Sequence, residues 1–100
     1  MQLNKLVRDN IIEIISSKGG QAKWHVADEE EYRTKLYEKL REEVEEFISG
    51  EEPEEIADIQ EVIEAIIKLN EFDQEDIQTA KQFKRAKRGG FEKRIILEES

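Results

Sequence analysis

Apolar residues recur along this chain mostly every three to four positions, the period of an amphipathic helix rather than of a strand. Ile11, Ile12, Ile14 and Ile15 mark a first helix, with Asp9 as its expected N-cap and Gly19-Gly20 as its stop. AKWHVA at 22–27 reads as extended. Asp28 then opens a second helix, with Glu31 at the capping-box position, and the pattern runs to Ser49-Gly50. Pro53 suits the first turn of a third helix, which continues through Ile56, Ile59, Val62, Ile63, Ile66 and Leu69. Asp73 and Asp76 open a fourth helix that ends at Gly89-Gly90, leaving FEKRIIL as a short extended tail. Four helices with short connections predict an all-α, four-helix bundle-like domain.

Two of these helices carry carboxylates where apolar residues belong. At about 100° per residue, Glu43 falls about 20° from Leu36, inside the stripe of Tyr32, Leu36, Leu40, Val44 and Phe47, and Glu46 lies at its margin. On the third helix Glu55 has Val62 and Ile66 about 20° to either side, and Asp58 lies about 60° off. Either pair alone reads equally well as long side chains snorkelling to water. Both together favour another account, because an ionised carboxylate facing a core costs several kcal/mol unless compensated. No Lys or Arg is interleaved in these stripes, so a divalent cation is the expected compensator. Two i, i+3 pairs on facing helices make an all-oxygen donor set suited to Mg²⁺ or Mn²⁺.

The length of 100 residues bounds the chain to one domain, 1–100. Charged residues make up 41% and hydrophobic ones 37%, but the periodicity of the latter argues against disorder. A formal charge of -9 disfavours binding to nucleic acid polymers. Acids dominate from Asp28 to Asp76, whereas seven of the sixteen Lys and Arg (Lys81, Lys84, Arg85, Lys87, Arg88, Lys93, Arg94) cluster near the C-terminus. The absence of cysteine excludes disulfides, thiolate metal sites and a cysteine nucleophile. MQLNKLVRDN lacks the apolar core of a signal peptide and no apolar run is long enough for a membrane span, so a cytoplasmic protein without a membrane partner is expected.

The order EExxE at Glu42, Glu43 and Glu46, followed by ExxD at Glu55 and Asp58, resembles the signature of the MazG-like all-α nucleoside triphosphate pyrophosphohydrolases. NKLVRDNI at 4–11 and KRGGFEKRI at 87–95 resemble a small branch of that superfamily, phosphoribosyl-ATP pyrophosphohydrolase-like. The resemblance implies a hydrolase that splits a nucleoside triphosphate between its α- and β-phosphates, giving monophosphate and pyrophosphate with Mg²⁺, with clearance of non-standard nucleotides as one role. It implies Glu43, Glu46, Glu55 and Asp58 as metal ligands and Glu42 as the residue that orients or activates water. It also implies a homodimer or homotetramer whose sites use helices of neighbouring subunits.

The remaining residues carry less. Glu61 continues the i, i+3 series from Asp58 but reads mainly as a solvated face. Lys81, Lys84 and Arg88 share a face of the fourth helix, either complementing the helix dipole or clamping a triphosphate, and Lys5 and Arg8 can join that clamp. Trp24 and His25 read as subunit packing before base stacking. The alternative of another class is a non-catalytic helical module that binds nucleotides or regulates a partner.

Overall fold

A computed structural model describes residues 4–100, and the regular structure among these residues is entirely α-helical, with no strand. The elements are α1 (Ile11–Ser17), α2 (Glu29–Gly50), α3 (Pro53–Leu69) and α4 (Gln74–Arg88). AKWHVA and FEKRIIL form no strand; the first is irregular, and the second begins with a turn closed by Arg94 N–H on Phe91 O at 3.0 Å.

Local chemistry accounts for the boundaries. Asp28 accepts from Glu31 N–H at 2.8 Å, Pro53 opens α3, and Asp73 accepts from Glu75 N–H at 2.8 Å. Gly89, at φ 82°, closes α4 with its N–H on Arg85 O. Two expectations are corrected. Asn10, not Asp9, holds the N-cap position of α1, and its side chain makes no cap bond. The Glu31 carboxylate does not return to the Asp28 N–H as a capping box requires; it pairs with His25 Nε2 at 2.9 Å. We predict that Asp28→Ala costs about 1 kcal/mol of stability, the usual worth of an N-cap, read as a lower urea midpoint at unchanged slope.

Only α2 and α3 pack extensively against each other. The left-handed Glu51 (φ 53°) turns the chain, its N–H on Phe47 O at 2.6 Å, and two residues later Pro53 starts the return helix. At the far end Arg33 donates to Asn70 Oδ1 at 2.8 Å and to the Tyr37 hydroxyl at 3.1 Å, tying the start of α2 to the end of α3. Asn70 first, then Arg33, lowers the Tyr37 pKa from its ordinary value. The hairpin is therefore antiparallel, with Leu36 and Val62 as its buried apolar centre.

The four-helix bundle read from the sequence is not closed within one chain. The radius of gyration is 18.1 Å, against about 13 Å for a compact domain of this length. The accessible surface is 9489 Å², against about 5,900 Å² for a compact monomer of this mass. The excess is partly apolar: it includes Val26, Phe91 and Ile95–Leu97 outside the helices, and four residues on one side of the hairpin. Val44 and Ile48 stand about 80° and 120° round α2 from Leu36, and Ile63 and Ile56 about 100° and 120° round α3 from Val62, in the same rotational sense. In antiparallel helices that face each other, equal senses place both pairs on one flank, and all four residues are exposed (36–60%). The other flank carries Lys35, Lys39, Glu42 and Glu46 from α2 and Asp58 from α3.

Candidate metal and phosphate site

Glu43 is the only buried charged residue among those described, at 6% exposure, and its Oε2 has no hydrogen-bond partner. The helical period of α2 carries it there, because seven residues from Leu36 is nearly two full turns. Its Oε1 lies 3.4 Å from Lys39 Nζ, and Lys39 also reaches Glu42 Oε2 at 3.7 Å. This corrects the expectation that no basic residue accompanies the stripe: Lys39 sits one turn before Glu43, at the margin, where its stem lets the ammonium reach inward.

Glu46, one turn on, has its pKa raised above the ordinary 4.5. The neighbouring Glu43 carboxylate is the largest cause, as a hydrogen-bond acceptor for the protonated form and then through the repulsion of its charge, followed by burial and Glu42, with Lys39 opposing. The folded state binds this proton more tightly than the unfolded chain. The group's stabilising contribution is therefore full below 4.5 and lost as pH rises through the raised value. In chelator, the melting temperature of the wild type should fall relative to Glu46→Gln as pH rises through that window; parallel pH profiles would remove the coupling.

The α3 pair is held differently. Glu55, half-buried, accepts the Glu52 N–H at 3.1 Å through Oε1, serving as the N3 residue of its own helix. Gly50 leaves the space for it, since a Cβ there would stand 2.5 Å from Glu55 Oε1. Asp58 Oδ1 accepts from Arg8 Nη2 at 2.8 Å. The four carboxylates of the predicted ligand set thus lie toward one end of the hairpin without converging: among the described residues no three Asp, Glu or His side chains are close enough to hold one ion. Glu45, Glu46, Ser49, Gly50 and Glu55 line an open cleft of about 410 Å³ where α2 turns into α3.

The cations fall into two groups. Lys5 Nζ lies 3.3 Å from Glu42 Oε1, and Arg8 is on Asp58, so the N-terminal residues expected to meet a triphosphate rest on carboxylates instead. Their positive charge finds the nearest dense negative charge, which these same helices supply. Lys81, Lys84 and Arg88 are exposed on α4 and make no ion pair among the described residues. Glu61 is exposed, Trp24 is 59% exposed, and His25 serves Glu31. Sequence reading missed Lys35, Lys39 and Gly50. The i−4 and i−3 spacing of Lys39 to Glu43 and Glu42 was the available signal for one of them.

One point of this structure is compatible with a bound cation, the buried Glu43 Oε2 that no donor meets, while the other three carboxylates of the set do not converge on it. Among the described residues no helix is long and apolar enough to cross a membrane. Compared with family models, curated proteins and solved structures, the chain matches none of them.

Proposed function

We propose that this chain is a Mg²⁺-dependent (or Mn²⁺-dependent) nucleoside triphosphate pyrophosphohydrolase, cleaving between the α- and β-phosphates to release monophosphate and pyrophosphate. The observation that carries the reading is Glu43: a buried carboxylate with one oxygen satisfied by Lys39 and the other by nothing. Such an oxygen costs the full desolvation penalty unless a ligand repays it. Glu43, Glu46, Glu55 and Asp58 would hold the cation, the last two by giving up the Glu52 N–H and Arg8. When bound, a divalent cation neutralises phosphate charge and orients the attacking water. Glu42 lies outside that set, partly exposed beside Lys5 and Lys39, and would accept the proton of the water.

A second copy of the chain completes the domain. The apolar flank of Val44, Ile48, Ile56 and Ile63 is the face on which another hairpin packs, giving a four-helix bundle across the two copies. This leaves the carboxylate flank open. Lys81, Lys84 and Arg88, on a helix that leaves its own hairpin, then serve the triphosphate at a neighbouring site.

The test is pyrophosphate release from a panel of standard and modified nucleoside triphosphates, with Mg²⁺ and with chelator. Metal-dependent formation of monophosphate and pyrophosphate is the expected result. The second reading, a non-catalytic helical module that binds nucleotides, is favoured by the present engagement of Glu55 and Asp58 with other donors. It predicts nucleotide binding without any release, and silence across the panel with retained binding would select it.

A further inference from the structure

The two segments that read as extended in the sequence, 22–27 and 91–97, form no strand within one chain. Both leave apolar side chains in water: Trp24 and Val26 are 59% and 85% exposed, and Ile95, Ile96 and Leu97 are 76–82% exposed. Among the described residues no backbone hydrogen bond ends on 21–27 or on 95–97. Free N–H and C=O groups beside apolar side chains are a template for another strand. Each segment is also held at one end. His25 Nε2 on Glu31 at 2.9 Å draws one side of the first segment toward α2, and in extended chain Trp24 and Val26 lie on the other side. The second is anchored by Arg85 Nη2 on Glu92 Oε1 at 2.6 Å, a bridge that Gly90 permits because a Cβ there would collide with both side chains.

We propose that these segments pair with each other across two copies of the chain, as a short antiparallel ladder in which Trp24 faces Leu97 and Val26 faces Ile95. The charges select this register. It sets Lys23 opposite Glu98 and brings Lys93 and Arg94 up to Asp28 and Glu29. A parallel pairing of the same apolar residues would set Lys23 beside Arg94 and Asp28 beside Glu99, and a one-residue slip would set Val26 against Arg94. The partner is a second copy because α4 carries the arm away from its own hairpin. Arg33 ties the start of α2 to Asn70, α4 starts at Gln74, and its 15 residues span about 22 Å without packing extensively on the hairpin. A copy related by a twofold axis offers each arm the other's segment, so both ladders form together and the assembly closes. This contact is separate from the apolar flank of Val44 and Ile63, and it does not depend on the pyrophosphohydrolase reading.

The experiment uses the whole chain, which has no cysteine of its own. With Trp24→Cys and Leu97→Cys together, mild oxidation should give a covalent dimer on a non-reducing gel, since directly facing strand residues lie within disulfide reach. Trp24→Cys with Ile96→Cys, whose second position points to the opposite face, should remain uncrosslinked. In protein that keeps Trp24, Lys23→Glu or Glu98→Lys should each weaken self-association about tenfold, because every pair occurs twice in the dimer, and the two together should restore it. Trp24 is the single tryptophan, so its emission should move to the blue as the copies associate. Circular dichroism confirms that each variant keeps its helices. Thiols lost without a dimer band would mean a disulfide within one chain and would overturn the second copy as partner. Equal cross-linking by both cysteine pairs, no cross-linking by either, or a charge exchange no better than its single variants would overturn the pairing itself.

Discussion

Glu43→Gln is expected to lower pyrophosphate release about 1,000-fold, or about 4 kcal/mol of transition-state stabilisation, while the chain stays folded. The two parts of this prediction come from the same atom. Glu43 is buried on the hairpin face of α2, and only its Oε1 is paired. An amide keeps its shape but carries no charge, so it is a poor ligand for a hard cation. It also relieves a buried carboxylate of its desolvation cost and of repulsion against Glu46, so stability in chelator should be unchanged or higher. Steady-state assays with Mg²⁺ and urea titrations in chelator, run on the same preparations, check both. Full turnover by Glu43→Gln would place the chemistry elsewhere, and unfolding of the variant would make Glu43 a structural residue.

Glu substitutions at Val44 and Ile63 together should weaken self-association about 1,000-fold, equivalent to about 4 kcal/mol. These side chains lie on the uncovered flank of the hairpin, 36% and 42% exposed, beside Ile48 and Ile56. Burying each against a second copy removes apolar surface from water, and fully burying such a side chain is worth about 1.5–3 kcal/mol. A carboxylate at either place instead has to be desolvated without a partner. Sedimentation across a concentration series reads the result: an oligomer for wild type and a monomer of lower melting temperature for the variant. Glu substitutions at Glu61 neighbours on the solvated side, such as Gln60→Glu, should leave the association intact. A wild type that is monomeric at high concentration would remove the apolar flank as an interface.

The helices themselves were legible in the sequence because their causes lie within one turn of each boundary. Asp28, Asp73 and Gly89 each act on backbone groups two to four residues away, Pro53 fixes its own φ at the start of α3, and each stands where the pattern placed it. Asp9 failed for the same reason: α1 is only seven residues long and has no side-chain cap, so one polar residue there is as good a guess as the next. The burial of Glu43 was equally legible, since the helical period alone turns it toward Leu36.

Tertiary structure decided what joins residues far apart in the chain. No periodicity links Arg8 to Asp58 or Lys5 to Glu42, because those pairs form only after the hairpin has brought α2 and α3 to one flank. Nor does a wheel drawn for one helix reveal that antiparallel packing sorts carboxylates and lysines to one flank and Val44, Ile48, Ile56 and Ile63 to the other. The departure of α4 from the hairpin is likewise a matter of packing, as its own amphipathic pattern is satisfied by any apolar surface of suitable shape. The sequence by itself determined four helices and the inward turn of Glu43, through backbone capping and the 3.6-residue period, while Glu46 is exposed and Glu55 and Asp58 are only half-buried. Only the folded chain determined which cations sit on those carboxylates and which apolar face is left uncovered, because both depend on distances that close through space.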